Sequence, residues 1–299
     1  MKKKYEFTGE TKTLVLPSRT VTLHRIRALI NSKRKYVIRA GELGGWIEKE
    51  ENLSQEGDCW IEKGGMVWDN AVVKDNAIIN YRSQVSGNAI IGGYAQISTE
   101  SEIGDCVLIG GNAQIRDKAT IKDYAQINDK AEIFGNAKIS GHALIYGSTS
   151  ISGNVEVSDY AYIFGDPYIT ENAKISGNAY ICGRTDIRGN AEIKDAAETH
   201  GDVKIKGNAI ISGMAKISGN ACVCGDADIS SLQHVLTIGP IDYVSGFITF
   251  FRNKNDEIIV NFRDFTGTIP DFLKEGLGYK SIVKNAVEIA KTHFKIKSE

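Results

Sequence analysis

The sequence predicts an all-β solenoid, and a period of six residues between positions 71 and 227 carries this prediction. Counting from Ala71 in steps of six gives 27 small positions, of which 19 hold Ala. Two residues after each small position comes an inward position, which holds Ile or Val in 26 of the 27 cases; the exception is Thr199. Two residues before it comes a corner position, which holds Gly or Asp in 24 cases. Such a regular repeat predicts units that bury apolar side chains jointly with their neighbours.

Each six-residue unit is expected to form one short strand and one corner. The small and inward positions are two residues apart, so they share one face of a strand. Gly and Asn tolerate the positive φ that a tight corner requires. Six residues are too few for a helix and a return, so we expect parallel rungs, each bonded to the coils before and after it at about 4.8 Å.

The residues of the repeat also resemble the repeat of a known protein family. The stretch Ile139-Ser140-Gly141-His142-Ala143 and its copies resemble the hexapeptide repeat of left-handed parallel β-helix proteins. In that family three hexapeptides form one triangular turn. The resemblance therefore implies about nine turns for the 27 units, in a β-helix that we expect over residues 58–230.

Residues 1–57 are predicted to form a β-rich N-terminal cap, with short strands over 5–7, 13–16, 21–26 and 36–38. The segments Gly44-Gly45-Trp46 and 52–61 (Asn-Leu-Ser-Gln-Glu-Gly-Asp-Cys-Trp-Ile) resemble the N-terminal module of uncharacterised hexapeptide-repeat proteins from bacteria and prophages. That resemblance implies no particular activity. We expect Trp46, Trp60 and Trp68 to cover the open end of the helix, whose exposed rung edge would otherwise recruit other chains.

The period stops after Ile229, and residues 231–299 are predicted to form a small α+β module. Strands are expected over 234–238, 246–251 and 258–262, with a hairpin turn at 253–256. A helix is expected to begin at Thr268 or Ile269, before Pro270, and to end near 277. Apolar residues at helical spacing predict a final helix; they are Ile282, Val283, Ala286, Ile289, Ala290, His293 and Phe294.

Charge and hydropathy limit the function classes. The formal net charge is −1, so no overall field favours nucleic acid or an anionic membrane. Residues 1–39 hold eleven Lys or Arg, whereas 40–58 are acidic, and we expect the two runs to neutralise each other. The sequence has no apolar run of 18 residues and no signal-like segment after Met1, so we expect a soluble cytoplasmic protein without membrane contact.

One face of the predicted β-helix is apolar and aromatic. Residues 18 apart fall in one column, and the outward positions on either side of the inward residue are predicted to form an exposed patch of Leu144, Tyr146, Tyr162, Phe164, Tyr180 and Cys182. Tyr124, His142 and Tyr160 occupy the corner beside it. Such a patch on a soluble protein usually marks an interface. Three occupants stay open: a second copy in a homotrimer, as the resemblance implies, a host protein, or the C-terminal segment folded back.

Catalysis is the alternative function. The resemblance to hexapeptide-repeat acyltransferases implies an acyl-CoA substrate and a histidine general base, for which His142 is the candidate. His200 lies three turns further along, too far to pair with His142, and no loop interrupts the repeat. The two histidines of the predicted β-helix are too few for the family's zinc site, and Cys222 and Cys224 have no further ligand in their column, so we predict no metal or cofactor.

The leading hypothesis is therefore a non-catalytic, rigid binding scaffold. A prophage origin, with binding and inhibition of a host component, is what the resemblance implies. An acyl-CoA-dependent acyltransferase that uses His142 is the alternative.

Overall fold

The six-residue period folds into stacked coils of very short parallel strands. A computed structural model describes residues 3–32, 38–241, 246–275 and 281–295. The chain divides into two compact units, Met1–Asn154 and Val155–Glu299. In both units a strand pairs in parallel with the strand 18 residues along the chain, as in Gln114↔Glu132 and Glu192↔Ile210. The predicted all-β solenoid is confirmed, and its left-handedness stays a prediction.

The described residues of the first unit form nineteen strands: β1 Tyr5–Val15, β2 Thr20–Ala28, β3 Leu43–Ile47, β4 Trp60–Ile61, β5 Met66–Val67, β6 Val72–Val73, β7 Ile78–Ile79, β8 Gln84–Val85, β9 Ile90–Ile91, β10 Gln96–Ile97, β11 Glu102–Ile103, β12 Leu108–Ile109, β13 Gln114–Ile115, β14 Thr120–Ile121, β15 Gln126–Ile127, β16 Glu132–Ile133, β17 Lys138–Ile139, β18 Leu144–Ile145 and β19 Ser150–Ile151. Within this unit they form three ladders, in the orders β1-β2-β3-β5-β8-β11-β14-β17, β4-β7-β10-β13-β16-β19 and β6-β9-β12-β15-β18. Glu50–Asn52 is a short 3-10 helix.

In the second unit, the part of the chain that the structure describes forms seventeen strands and two α-helices: β20 Glu156–Val157, β21 Tyr162–Gly165, β22 Tyr168–Ile169, β23 Lys174–Ile175, β24 Tyr180–Gly183, β25 Asp186–Ile187, β26 Glu192–Ile193, β27 Glu198–Gly201, β28 Lys204–Ile205, β29 Ile210–Ile211, β30 Lys216–Gly219, β31 Cys222–Val223, β32 Asp228–Ile229, β33 Val235–Ile238, β34 Ile248–Arg252, β35 Ile258–Phe262, β36 Phe265–Thr268, α1 Ile269–Lys274 and α2 Ser281–His293. Its parallel ladders run β20-β23-β26-β29-β32, β21-β24-β27-β30 and β22-β25-β28-β31, and β33-β34-β35-β36 is antiparallel. Leu232–His234 is a second 3-10 helix.

The interior of the coils is lined by the small and inward positions, as predicted. Ile139 and Ile163 are at most 1% exposed, and so are their counterparts along the repeat except Ile103 and Ile109, at 2%. Polar residues at small positions are also buried, and their hydroxyls find a partner locally. Ser83 Oγ donates to the Asn80 carbonyl at 2.6 Å, and Thr149 Oγ1 donates to the Tyr146 carbonyl at 2.6 Å. A hydroxyl is therefore tolerated in the core because it bonds the carbonyl three residues earlier.

All 27 corner positions have a positive φ. Asp is suited to these corners for a reason beyond its tolerance of that conformation. Asp123 Oδ2 accepts from the backbone N–H of Gly141, the corner residue one coil further on, at 2.8 Å. The same bond recurs at the other corner aspartates, Asp69, Asp75, Asp105, Asp117, Asp129, Asp159 and Asp195. Each corner Asp thus satisfies a backbone donor of the next coil.

The N-terminal strands end the first ladder with an antiparallel hairpin. The strands predicted over 5–7 and 13–16 are one strand, β1, with an irregularity between Phe7 and Thr11. The strand predicted over 36–38 falls mainly on residues outside the described part of the chain. β3 pairs antiparallel with β2 and parallel with β5, so parallel pairing of the coils already begins at Trp46. This arrangement leaves β5 without a free edge.

The three tryptophans lie at this end of the first unit. Trp60 and Trp68 are buried, and Trp68 packs with Val21 and Leu23 of the hairpin. Trp46 is half-buried under the Arg25 guanidinium, 5.6 Å from its ring centroid. Several described side chains of the basic run pair with carboxylates, and Arg25 contacts Glu10 at 2.9 Å. Further pairs are Lys3–Glu50, Arg27–Glu6 and Arg19 with Glu48 and Asp69.

The C-terminal module covers the last coil of the second unit. Cys222 N–H donates to Thr249 Oγ1 at 3.0 Å, and Ala227 bridges to Asn253. The predicted hairpin and helix start are confirmed, with Thr268 Oγ1 accepting from the Asp271 N–H as N-cap of α1. The packing face predicted for α2 is partly wrong, because Ile282 and Ile289 are exposed. Its buried face is Val283, Ala286, Val287 and Ala290, which packs on the antiparallel sheet.

Among the helices of the described residues, none combines the length and the hydropathy that crossing a bilayer requires.

Candidate functional site

Four neighbouring strands of the second unit, β21, β24, β27 and β30, are longer than the other strands of the coils. Each has four residues instead of two. Their parallel register places Tyr162 beside Tyr180 and Phe164 beside Cys182. Because strand side chains alternate, the two outward residues of each strand form two columns on one face. The columns are Tyr162, Tyr180, Glu198, Lys216 and Phe164, Cys182, His200, Ser218, and we call this array the outer face of β21–β30.

The local sequence explains why the chain stays extended here. At an ordinary corner the N–H of the small position donates to the carbonyl three residues earlier, as Ala161 does to Ser158 at 3.3 Å. After β21 the small position is Pro167, which has no N–H to donate. The strands end at Gly165, Gly183, Gly201 and Gly219, which have φ values of 93°, 83°, 96° and 71°. Gly165 pairs with Gly183, and Gly201 pairs with Gly219, so the extended conformation is shared by neighbouring strands of the ladder.

The first part of the outer face is a cluster of three rings. The Tyr162 and Phe164 rings are stacked with centroids 5.1 Å apart. The Tyr180 ring lies 5.5 Å from Tyr162 and 5.3 Å from Phe164, the latter edge to face. All three side chains are half-buried, so this part of the predicted patch is only partly exposed. Each ring packs against the other two and keeps part of its surface accessible.

The second part of the outer face is a hydrogen-bonded chain of polar groups. Cys182 Sγ lies 3.0 Å from His200 Nδ1, and His200 Nε2 lies 3.0 Å from Glu198 Oε2. Lys216 Nζ contacts the same Glu198 oxygen at 3.0 Å. The Tyr180 ring centroid is 5.4 Å from that of His200, so the rings and the polar chain are in contact. A thiol, an imidazole and a carboxylate are thus aligned in one row.

Electrostatics in this row follow from its contacts. Hydrogen bonds from His200 and Lys216 lower the pKa of Glu198, so the carboxylate is charged at neutral pH. Partial burial, and secondarily the Glu198 charge, raise the pKa of the Cys182 thiol. Glu198 is an acceptor only when it is ionised, so His200 Nε2 carries the proton of that hydrogen bond. In the neutral imidazole, Nδ1 then accepts from the Cys182 thiol.

The irregular inward residue, Thr199, lies on the strand that bears this row. Thr199 is fully buried, and its Oγ1 is 3.4 Å from Thr185 Oγ1. Thr185 Oγ1 donates in turn to the Cys182 carbonyl at 2.9 Å. Thr199, which interrupts the aliphatic core, is therefore linked through the Thr185 hydroxyl to the backbone of Cys182.

The other predicted site residues are placed as follows. In the first unit the Tyr124 and His142 rings are stacked at 4.8 Å with an interplanar angle of 5°. Tyr146 Oη lies 3.2 Å from Gln126 Oε1, where it donates to the amide oxygen, and Leu144 pairs in register with Gln126. Tyr160, in the second unit, is 62% exposed at a corner. A general-base role for His142 stays a prediction.

Sequence reasoning missed the row Cys182–His200–Glu198. From the sequence alone, His200 is considered only as a partner for His142 and as one of too few histidines for a zinc site. The signal was nevertheless present, because Cys182 and His200 are 18 residues apart and therefore share a column. Glu198 precedes His200 by two residues and therefore shares its strand face. Among the described residues no group of three or more His, Cys, Asp or Glu side chains has the arrangement of a metal site.

Comparison with protein-family models and with curated proteins gives no match to the chain. The parallel β-solenoid class therefore rests on the strand pairing described above.

Proposed function

We propose that the protein is a rigid binding scaffold that docks a partner protein on the aromatic part of the outer face of β21–β30. The observation that carries the proposal is the cluster of Tyr162, Phe164 and Tyr180, three rings in mutual contact that remain half-exposed on a parallel sheet. Aromatic side chains of this kind anchor protein interfaces, because they bury a large area with little loss of side-chain freedom.

The support for a rigid scaffold comes from the strands beneath the rings. Tyr162 and Phe164 flank the inward Ile163, and Tyr180 flanks Ile181, both fully buried. Each ring is therefore fixed to a strand whose neighbouring side chain is locked in the core. A surface that is ordered before binding loses less conformational entropy when a partner arrives.

The partner that we propose first is a second copy of this chain, in a homotrimer. The net charge of −1 gives little long-range repulsion between copies, and the rings supply apolar surface that a neighbouring copy can bury. A host protein, bound and inhibited by a prophage-derived scaffold, is the other partner that the sequence resemblance implies.

Sedimentation equilibrium tests the proposal. We expect the wild-type protein to sediment as a trimer of the 32.7 kDa chain, and the Tyr162→Asp/Phe164→Asp variant to sediment as a monomer. Two charges placed among the rings cannot be desolvated at an interface without a large cost. Tyr94→Asp, a change at a 49% exposed tyrosine of the first unit, is the matched control and should leave the trimer intact.

Two results would contradict this assignment. A wild-type monomer would exclude the homotrimer. A trimer that persists in the Tyr162→Asp/Phe164→Asp variant would show that the copies associate through another surface.

A further inference from the structure

The row of Cys182, His200 and Glu198 has the order of groups that activates a nucleophile: a thiol, a base within hydrogen-bond reach, and a carboxylate that orients the base. Both contacts are 3.0 Å long. Because Nε2 donates to Glu198, the lone pair of Nδ1 is directed at the thiol. The row lies on the accessible outer face of the sheet, and Cys182 is half-buried.

We propose that Cys182 is a nucleophilic thiol, with His200 as its general base and Glu198 as the residue that positions His200, and that it accepts an acyl group from an uncharged carboxylic ester. This activity goes beyond the proposed binding function. The Tyr180 ring, which contacts His200 and stands two residues before Cys182 on the same strand, offers an apolar surface to the rest of such an ester.

The step balances without a cofactor. The thiol proton passes to His200 Nδ1 while a sulfur lone pair forms the S–C bond to the ester carbonyl carbon. The tetrahedral adduct then expels the alkoxide or phenoxide, which takes the proton from His200. The products are a Cys182 thioester and an alcohol or phenol. Hydrolysis by water, again with His200 as base, would release a carboxylic acid and restore the thiol.

Glu198 acts through His200 in this scheme. Its carboxylate stabilises the imidazolium that forms when the proton leaves the thiol, and Lys216 holds the carboxylate in place at 3.0 Å. The same negative charge raises the pKa of the resting Cys182 thiol, so Glu198 disfavours a free thiolate. Removing this charge should therefore have opposite effects on two reactions of the same sulfur atom.

The experiment measures two reactions at Cys182 by mass spectrometry of the intact folded protein and its peptides. Acylation is measured with p-nitrophenyl acetate, and alkylation with iodoacetamide, which reports the thiolate. Cys106, also half-buried, with Asn88 Nδ2 at 3.7 Å from its sulfur, is the internal control thiol. We expect Cys182 to be acylated at least tenfold faster than Cys106.

The variants separate an activated thiol from an ordinary one. His200→Gln should slow acylation of Cys182 by about a hundredfold, the usual contribution of a general base. Glu198→Gln should slow acylation while leaving alkylation equal or faster, because the thiol loses a neighbouring charge that raises its pKa. Cys182→Ala should abolish acylation at position 182. Circular dichroism and the sedimentation mass check that each variant is folded.

Two outcomes would overturn the proposal. One is acylation of Cys182 at the wild-type rate in His200→Gln; the other is an increase of both acylation and alkylation in Glu198→Gln. Acylation is read at Cys182 and assembly from the sedimentation mass of the wild-type protein, so a monomer whose Cys182 is acylated in a His200-dependent way would exclude the homotrimer and leave this proposal standing. The two proposals can therefore fail separately.

Discussion

The two units carry the same repeat but differ in the side chains of one outward face. On β9 and β12 of the first unit, the residue after the inward Ile is Gly92 or Gly110, and the surface there is a shallow groove of about 370 Å³. On β21, β24 and β27 of the second unit, Phe164, Cys182 and His200 hold that position, and the strands are twice as long. The comparison teaches that the inward positions determine the fold, whereas the position that follows them determines the surface chemistry.

The largest expected effect tests the first half of this comparison. Ile139→Asp in the first unit and Ile163→Asp in the second should each lower the free energy of unfolding by at least about 4 kcal/mol, because each buries a carboxylate without a partner. Urea titration followed by circular dichroism measures this. Gln96→Asp, at the exposed neighbour of the inward Ile97 and beside the uncharged Ile78 and Gln114, is the matched control and should change stability by less than about 0.5 kcal/mol.

A smaller effect in one unit than in the other would break the comparison, because it would mean that the inward positions of the two units are not equivalent. Equal losses would support a core of the same kind in both.

An intermediate effect is expected at the corners. Asp123→Ala should lower the free energy of unfolding by about 1–3 kcal/mol, because the Gly141 N–H loses its acceptor at 2.8 Å and Ala is strained at a φ of 60°. Asp123→Asn keeps an acceptor oxygen and tolerates the conformation, so its loss should be under about 1 kcal/mol. Equal unfolding midpoints for the two variants would show that the hydrogen bond between coils contributes nothing.

The smallest effect concerns the polar link that distinguishes the second unit. Thr199→Val keeps the shape of the side chain and removes a hydroxyl whose contact with Thr185 is 3.4 Å long. We expect a change in stability of less than about 1 kcal/mol, because Thr185 keeps its bond to the Cys182 carbonyl. A slower acylation of Cys182 in a variant of unchanged stability would sharpen the comparison, since it would link the core irregularity to the surface row.

The sequence predicted the solenoid well because the inward and small positions obey a strict period. The side chains of Ile139 and Ala137 both lie in the core, and a shift of the strand register by one residue would turn them to solvent. The hairpin turn at 253–256 and the helix start at Thr268 or Ile269 were predictable for a similar reason, since each depends on a few neighbouring residues. All of these features depend on local sequence, and in the solenoid the same local pattern is repeated every six residues.

Other features could not be predicted from the six-residue period. The exposure of Ile282 and Ile289 depends on which side of α2 the antiparallel sheet covers, and helical spacing alone leaves this open. The site was predicted only in part. Tyr162, Phe164 and Tyr180 could be placed on one face because residues 18 apart share a column. The bond between Cys182 and His200 depends on side-chain rotamers and on strands that extend to Gly183 and Gly201, and neither is a property of the repeat.

The central claim is that residues alternate between the core and the outer face along β24, and cysteine labelling tests it most directly. In a Cys182→Ser background, Ile181→Cys places a thiol one residue away, at a fully buried position. With a water-soluble maleimide under native conditions, we predict that the native Cys182 is modified while Cys at 181 reacts only after denaturation. Modification of both thiols at the same rate in the folded protein would contradict the account.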